Sequence, residues 1–139
     1  MGLSFREMTI DDYEASYSLW TETEGMVLSD ADSKQAIDGY LERNPGCSFV
    51  CEEGGRIIGT ILCGHDGRRG YIYHAAVLPE RRGHGIGKRL VDLSLAALQA
   101  AGIMKCHLFV VADNEIGSRF WNRAGWMKRD GIIIFSANT

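Results

Sequence analysis

The sequence predicts a mixed α/β fold, of the α+β class, in which a mostly antiparallel central sheet is flanked by helices. Apolar, β-branched runs alternate along the chain with amphipathic runs of helical spacing, which is the pattern of strands and helices in succession. Two of the apolar runs, 48–53 and 56–65, are joined through Glu53-Gly54-Gly55, and such a joint is typical of a hairpin between antiparallel strands. We expect a single domain over residues 1–139, with this hairpin inside its sheet.

The N-terminal segment predicts one strand and one helix. Residues 3–8 are interpreted as a short first strand, and Thr9 followed by Asp12 is the pattern of a capping box at the start of a helix. The helix should continue to Thr23. Three aromatic side chains recur in it at helical spacing, and they either pack on the sheet or form a wall of a substrate site: Tyr13, Tyr17 and Trp20.

A loop and a second helix should connect this first helix to the hairpin. Residues 22–32 have mixed polarity and several weak helix formers, so we interpret them as a loop. Residues 33–44 form a helix that ends before Pro45, because the residue before a proline disfavours the helical conformation. After the hairpin, 66–70 is a turn, and 71–78 is the central strand of the sheet.

The last third of the chain predicts two more helices and three more strands. Apolar residues on one face mark a helix over 86–102, which ends in a glycine. A strand over 105–111 and a helix over 114–123 follow. Residues 126–136 should form two last strands around Asp130-Gly131, which is a type I′ turn signal.

The composition argues against a membrane-spanning or disulfide-stapled protein. Of the 139 residues, 45% are hydrophobic, which is enough to form a core without disulfide bonds or a structural metal. No run of about 18 apolar residues could span a bilayer, and the first residues lack the apolar region of a signal peptide, so we expect a cytoplasmic protein. The four cysteines form no C-x-x-C pair, so we expect neither a bridge nor a bound metal.

Charge divides the sequence into two unlike halves. Residues 1–53 carry 12 acidic and 3 basic side chains, a net charge of −9, whereas residues 54–139 carry 6 acidic and 12 basic ones, a net charge of +6. A basic half suits an anionic ligand and an acidic half suits a cationic one, although any single charge can also be ordinary solvated surface. The basic residues form no long run with interleaved aromatics, so no nucleic-acid partner is expected.

The stretch from Val77 to Leu90 is interpreted as a strand, an anion-binding loop and a helix. Three alternate glycines lie in its middle, and glycine allows positive φ and close approach of a ligand to the backbone. A helix that opens there aims unpaired N–H groups and its positive dipole end at the loop, so phosphate is the natural ligand. Two common phosphate motifs are excluded, because Lys88 lacks the following Ser or Thr of a Walker A loop and replaces the third glycine of a dinucleotide fingerprint.

The glycine loop and a segment near the C-terminus carry a family resemblance. Arg82-x-x-Gly85-x-Gly87, preceded by Val77-x-Pro79, resembles the acetyl-CoA pyrophosphate loop of the GNAT N-acetyltransferase superfamily. Asn114-x-x-x-x-x-Phe120-Trp121-x-x-x-Gly125-Trp126 is similar to the Asn…Phe-Tyr…Gly-Phe pattern of the same family. The predicted order of elements extends the resemblance over nearly the whole chain, and within the superfamily it resembles an uncharacterised bacterial branch.

The resemblance implies a GNAT fold whose splayed central strands hold acetyl-CoA as cosubstrate. In the family, loop N–H groups hold the pyrophosphate, the central strand pairs with the pantetheine, and the segment after the fifth strand lines the far side. We expect the two strands to part past Val77 and Phe109. Arg82 should add charge to the loop, while Lys88 either does the same or is plain surface. The residues expected to bind acetyl-CoA are Val77, Leu78, Arg82, Gly83, His84, Gly85, Ile86, Gly87, Lys88, Asn114, Phe120 and Trp121.

The candidate catalytic groups lie on the central strand. Acetyl transfer needs a neutral amine and a proton for the departing thiolate, and the family often supplies them with a glutamate base and a tyrosine acid. This strand has no carboxylate, and the tyrosine position is Trp121, whose indole delivers no proton at neutral pH. The candidates are therefore Tyr73 and His74. Of the two, His74 suits the role of the base, since imidazole ordinarily titrates near pH 7. The alternative is a core role for His74, with deprotonation relayed by water near Glu22 or Glu24.

The predicted function is an N-acetyltransferase that transfers an acetyl group from acetyl-CoA directly to a primary amine. The acceptor is a small molecule or a protein amino group, and the enzyme is a monomer or homodimer without nucleic-acid or membrane partners. The alternative is a non-catalytic acyl-CoA-binding or sensing module, which the missing glutamate and tyrosine would favour. Turnover distinguishes the two.

Overall fold

The computed structural model describes residues 2–139, and these contain a five-stranded sheet. Its strands, in spatial order, are β1 Leu3–Glu7, β2 Phe49–Glu53, β3 Arg56–His65, β4 Gly70–Val77 and β5 Cys106–Leu108. Neighbours from β1 to β4 are antiparallel, and β4 and β5 are parallel. The predicted mixed, mostly antiparallel fold is confirmed, and the two-glycine turn joins β2 to β3 as expected.

Four α-helices lie in the described residues: α1 Tyr13–Thr21, α2 Lys34–Arg43, α3 Ile86–Ala100 and α4 Glu115–Arg123. The indole N–H of Trp20 on α1 donates to Thr60 Oγ1 of β3 at 2.9 Å. A Cβ on the neighbouring Gly59 would lie 3.1 Å from the side chains of Ile86 and Leu90 on α3. Because side chains alternate along a strand, α1 and α3 cover opposite faces of the sheet. None of the helices within residues 2–139 is long and apolar enough to cross a membrane.

The core is built around β3, whose residues from Ile58 to Gly64 are all buried. Helices cover both faces of this strand, which explains why its sequence is a nearly continuous apolar run. A Cβ at Gly64 would lie 2.8 Å from the Tyr40 hydroxyl on α2, so α2 shares the face that α1 covers. Trp20 is fully buried between α1 and β3. The interpretation of the aromatic stripe as packing on the sheet is thereby confirmed for Trp20.

Two short 3-10 turns with the same capping pattern precede α1 and α2. In the predicted box, Thr9 N donates to Asp12 Oδ2 at 2.9 Å around the turn Ile10–Asp12. In the second box, Ser29 N donates to Asp32 Oδ2 at 2.9 Å around the turn Asp30–Asp32. This second box lies in the segment expected to be a loop. It fixes a buried aspartate where the sequence analysis expected irregular chain.

Contacts divide the chain into a first unit that ends at Phe109 and a second unit, Val110–Thr139, which we describe separately. The second unit contains α4 as predicted, but the expectation of two strands over 126–136 is wrong, because no residue of that range is in a strand. Side chains from Ile132 to Phe135 are 60% to 91% exposed. β-branched runs favour a strand where they find a partner and a packing surface, and no partner strand pairs with this run in the described chain.

Candidate active site

The glycine loop between β4 and α3 presents free backbone N–H groups. Gly83 and Gly85 have φ angles of +83° and +80°, a conformation that glycine adopts without strain. No atom lies within 4 Å of the positions that their Cβ atoms would occupy. α3 begins at Ile86, and Gly85 as its N-cap has no side chain to accept from the first-turn N–H groups. These donors and the positive end of the helix dipole are therefore available to a phosphate.

Arg82 is held beside this loop by two contacts. Its Nε donates to the Val77 carbonyl at 3.0 Å, and its guanidinium pairs with Glu24 at 2.6 Å. A phosphate could replace the Glu24 carboxylate, because guanidinium binds both groups with the same geometry. Lys88 pairs with Asp92 at 2.9 Å, one turn further along α3. The two cations predicted for the site thus have different partners.

The remaining loop residues contribute backbone rather than side chains. The Ile86 side chain is 2% exposed and packs against Gly59 of β3. His84 is exposed, and its Nδ1 lies 3.1 Å from the carbonyl oxygen of Arg81. Arg81 Nε in turn donates to Glu53 of β2 at 2.6 Å. The loop is therefore anchored to the sheet at both of its ends.

A slot opens between β4 and β5. The two strands pair at Gly70–Ile72 and Cys106–Leu108. Beyond these pairs β4 continues to Val77 without a neighbour on that side in the described residues. The expectation that the strands part past Val77 and Phe109 is wrong for β4, where pairing ends several residues earlier at Ile72, whereas on β5 it ends at Leu108, next to Phe109. The reason is that β5 is three residues long, whereas the apolar pattern extends over 105–111.

Of the two residues predicted to pair with the pantetheine, Val77 is the better placed. Leu78 N donates to the Ile58 carbonyl at 2.9 Å, and its own carbonyl accepts from Arg81 N at 2.8 Å. Both main-chain groups of Leu78 are thus engaged inside the protein. Because neighbouring residues of a strand direct their N–H groups to opposite edges, the Val77 N–H faces the slot.

A β-bulge interrupts β4 at the level of the slot. The register with β3 shifts between Thr60 and Leu62, so that His74 and Ala75 together lie opposite one residue. His74 has a φ of +48°, which is the left-handed region that non-glycine residues rarely adopt. Such a bulge bends the strand and redirects a side chain. The strain therefore lies at a residue that the sequence analysis nominated for catalysis.

The bulge places Tyr73 and His74 on the same face of the sheet. The Tyr73 ring lies 6.3 Å from the ring of Tyr40 on α2, and the His74 ring lies 4.6 Å from the ring of Trp20 on α1. Consecutive residues of a regular strand would face opposite sides. The structure thus brings the two candidate catalytic side chains together on the face that α1 and α2 cover.

His74 contacts a residue that the sequence analysis did not single out. His74 Nε2 lies 2.6 Å from Asp32 Oδ1, and both side chains are nearly buried. The His74 carbonyl also accepts from Thr60 Oγ1 at 3.0 Å. The spacing Ser29-x-x-Asp32 repeats that of the first capping box and could have located the turn. No sequence signal connects it to a histidine 42 positions away.

Tyr73 lies at the more open part of this face. Its side chain is 40% exposed, and partial burial, together with the nearby Tyr71 phenol, raises the pKa of Tyr73. The phenol therefore keeps its proton at neutral pH and can donate it. Where the strands part, the Tyr71 and Phe109 rings stack with centroids 6.3 Å apart.

The other predicted cofactor residues lie in the second unit. Asn114 is the N-cap of α4, and its Oδ1 accepts from Gly117 N at 3.0 Å. The Trp121 ring lies 4.9 Å from the Phe120 ring and 4.9 Å from the Trp126 ring. Within this unit, Trp121 is therefore a packing residue in a small aromatic cluster.

The cysteines form neither bridges nor a metal site in the described residues. Cys47, Cys51 and Cys63 are buried and Cys106 is half-buried, all as free thiols. Burial raises the pKa of Cys47 and Cys51, which keeps these thiols protonated. Among residues 2–139, no three His, Cys, Asp or Glu side chains are grouped so that they could hold a metal ion.

Comparison with known proteins decides the family. The model of the acetyltransferase (GNAT) family matches residues 6–126. The chain belongs to the GNAT acetyltransferase family. It is 35% identical over 105 residues to an acetyltransferase of Pectobacterium atrosepticum, covering 76% of this chain and 74% of the relative. It is 28% identical over 132 residues to an acetyltransferase of Sodalis glossinidius, covering 95% of this chain and 92% of the relative.

The GNAT assignment extends to the fold and the reaction. The structure of AAC(6')-Iy in complex with the bisubstrate analogue CoA-S-monomethyl-acetylneamine matches 100% of both chains with a TM-score of 0.78 at 17% identity. The GNAT fold predicted from the sequence is confirmed. This GNAT protein is an acetyltransferase that uses acetyl-CoA as its acetyl donor, which confirms the predicted enzyme class and cosubstrate.

Proposed function

We propose that this GNAT acetyltransferase acetylates a primary amine by direct transfer in the slot between β4 and β5. One observation carries the proposal: β4 loses its β5 neighbour after Ile72, and this free edge continues to the glycine loop at the carboxyl end of the strand. An extended ligand that ends in a pyrophosphate fits this arrangement. It can pair with the free strand edge and place its phosphates at the N-terminus of α3.

The proposed roles of the loop and strand follow from their free groups. Backbone N–H groups over 82–88 hold the pyrophosphate, and the Arg82 guanidinium adds a charge-assisted contact once it exchanges Glu24 for phosphate. The Val77 N–H pairs with the pantetheine. The cofactor contacts of Asn114, Phe120 and Trp121 stay predictions from the family resemblance.

The acceptor amine is proposed to approach from the face that α1 and α2 cover. Tyr73 and His74 both lie on this face, and residues 1–53, which form both helices, have the net charge of −9. An acidic surface attracts a protonated amine. The acceptor is a small-molecule amine or a protein amino group. The acetylneamine part of the analogue bound by AAC(6')-Iy supports the amine class.

His74 and Tyr73 are proposed to move the protons of the reaction. The amine reacts in its neutral form, after its ammonium proton has passed to solvent. As its nitrogen bonds to the thioester carbonyl carbon, His74 takes one proton from the nitrogen, the C–S bond breaks and its electron pair stays on sulfur. The Tyr73 phenol donates a proton to that thiolate, and solvent then returns the proton from His74 to Tyr73. The products are the N-acetylated amine and the CoA thiol, and no acetylated enzyme is formed.

Thiol release from acetyl-CoA against a panel of polyamines, aminoglycosides and peptides tests the proposal, with mass spectrometry of the acceptor. We expect release to require a primary amine and to yield its acetylated form. His74→Gln should lower kcat by about a hundredfold or more, the usual contribution of acid–base catalysis, with unchanged affinity for CoA. His65→Gln, a control at the end of β3, should keep kcat. Hydrolysis without an acetylated amine, or equal kcat in both variants, would contradict the proposal.

A further inference from the structure

We infer that Asp32 is a positioning residue that selects the ring orientation and tautomer of His74, so that Nδ1 is the atom that accepts the amine proton. The inference rests on the proposed function, in which His74 is the base. It adds a residue and an atom that the family resemblance did not supply. Asp32 lies in the 3-10 turn before α2, and it reaches His74 across the face of the sheet that α1 and α2 cover.

Asp32 is itself fixed by contacts at three of its atoms. Its Oδ2 accepts from Ser29 N at 2.9 Å, and its carbonyl oxygen accepts from the Tyr13 hydroxyl at 2.6 Å. Its Oδ1 lies 2.6 Å from His74 Nε2. A carboxylate held in this way has little freedom to follow a moving ring, so it can determine where the ring lies.

The contact with Asp32 assigns the proton on His74. An ionised carboxylate accepts hydrogen bonds and cannot donate one, so His74 Nε2 must carry the hydrogen. The lone pair of neutral His74 is then on Nδ1. Among residues 2–139, Nδ1 has no hydrogen-bond partner, and it is not among the polar atoms sealed from solvent. Nδ1 is therefore the ring nitrogen left to accept a proton from an incoming amine, directly or through one bridging water.

The ring is also held from its face and from its backbone. Trp20 packs against it at 4.6 Å between centroids, and the Trp20 indole is fixed by its hydrogen bond to Thr60. Thr60 Oγ1 in turn donates to the His74 carbonyl. The left-handed φ of His74 is maintained by this network, and strain of this kind persists where the surroundings over-determine it.

The test compares Asp32→Asn with a matched control, Asp12→Asn. Both aspartates are 7% exposed, and both close a capping box on a 3-10 turn through Oδ2. Asp12 pairs with Arg6, whereas Asp32 pairs with His74. The same isosteric change therefore disturbs an equivalent capping box in each variant. Only the change at Asp32 also alters the contact with the His74 imidazole. In Asp32→Asn the amide oxygen can keep the Ser29 contact, so that the amide NH₂ faces Nε2 and favours the other tautomer.

We expect Asp32→Asn to lower kcat between about tenfold and a hundredfold, a part of what a general base contributes, with the KM for acetyl-CoA and the CoA Kd unchanged. Asp12→Asn should keep kcat within about twofold. Adding Asp32→Asn to His74→Gln should cost no further activity, because the two residues act as one unit. The ¹⁵N shifts of the His74 ring should show hydrogen on Nε2 and a bare Nδ1 in the wild type at the pH of the assay, and hydrogen on Nδ1 in Asp32→Asn.

Three results would overturn the inference: a wild-type imidazole protonated on both nitrogens at the pH of turnover, equal kcat in the two Asn variants, or additive losses in the double variant. The nitrogen shifts require no substrate. Failure of the proposed function, seen as absence of amine acetylation by the wild type, therefore stays distinguishable from failure of the Asp32–His74 arrangement.

Discussion

The predicted binding site depends on Gly85, a residue without a side chain. Its φ of +80° lets the chain turn into α3, and the missing Cβ leaves the first-turn N–H groups accessible. A side chain here would be strained and would project where the pyrophosphate is proposed to bind. Gly85 thus contributes by having no side chain. A sequence pattern locates such a position easily, because glycine is the one residue type without a Cβ.

Gly85→Val should abolish CoA binding and leave the fold intact. The matched control is Gly67→Val in the turn between β3 and β4, because Gly67 has a φ of +91° and equally open surroundings. Both variants carry the same conformational cost, about 1–2 kcal/mol for an L-residue in the left-handed region. Calorimetry should show CoA binding to the Gly67 variant alone. Wild-type affinity in Gly85→Val, with a normal circular dichroism spectrum, would refute the loop as the site.

At the scale of elements, an ion pair ties the segment after α1 to the loop before α3. Glu24 pairs with Arg82 at 2.6 Å, and the Glu24 side chain is 50% exposed. In the proposed complex the pyrophosphate competes with Glu24 for this guanidinium. Binding of the cosubstrate therefore requires that the ion pair be broken.

Glu24→Gln should tighten CoA binding by about twofold to fivefold, since exposed pairs contribute roughly 0.2–1 kcal/mol. Glu22→Gln is the control, because Glu22 lies in the same segment and forms no ion pair within the described residues. It removes the same charge without freeing Arg82. If both variants bind CoA equally, general electrostatics explains the gain. If Glu24→Gln weakens binding, the ion pair supports the site instead of competing for it.

The packing of α3 on β4 depends on a glycine for a different reason. A Cβ at Gly70 would lie 2.5 Å from Leu98 Cδ1, so a side chain fits there only if the Leu98 side chain shifts. Gly39, by contrast, lies inside α2 with no atom within 4 Å of its would-be Cβ. The two glycines have opposite energetic roles, although both lie inside regular elements.

Gly70→Ala should lower the free energy of unfolding by about 1–3 kcal/mol, as overpacking does. Gly39→Ala should raise it by about 0.5–1 kcal/mol, because alanine is the better helix former. Urea unfolding followed by circular dichroism measures both. Equal stability of Gly70→Ala and the wild type would mean that Leu98 moves aside freely and that the contact is loose.

At the scale of the whole molecule, the division of charge makes a kinetic prediction. Residues 1–53 have a net charge of −9, and residues 54–139 have a net charge of +6. Most acidic side chains therefore lie in the part of the chain that forms α1 and α2. A field of this sign raises the encounter rate with a cationic acceptor. Salt should therefore weaken the reaction with such acceptors.

At saturating acetyl-CoA, kcat/KM for a polyamine should fall as salt increases, because the Debye length shortens from about 10 Å at 0.1 M to about 3 Å at 1 M. An amino acid acceptor with no net charge serves as the comparison and should show a weaker dependence. Acceptors with net negative charge that react best at low salt would contradict steering by the acidic half.

The sequence by itself determined those features that depend on neighbours a few positions apart. The capping box at Thr9, the two-glycine hairpin, α3 and the glycine loop before it all follow from local backbone preferences and short hydrogen bonds. The family motif added the acetyl donor. These are the parts of the fold and of the candidate site that could be predicted.

Tertiary structure alone decided the rest, because the deciding contacts join distant positions. The run over 126–136 has strand propensity, yet a strand also needs a partner, and local pattern cannot supply one. The point where β4 and β5 part depends on how far the two strands stay within hydrogen-bonding distance of each other. Finally, His74 turns toward α1 because a bulge shifts the register of β4 against β3, and there it meets Asp32, 42 residues earlier in the chain.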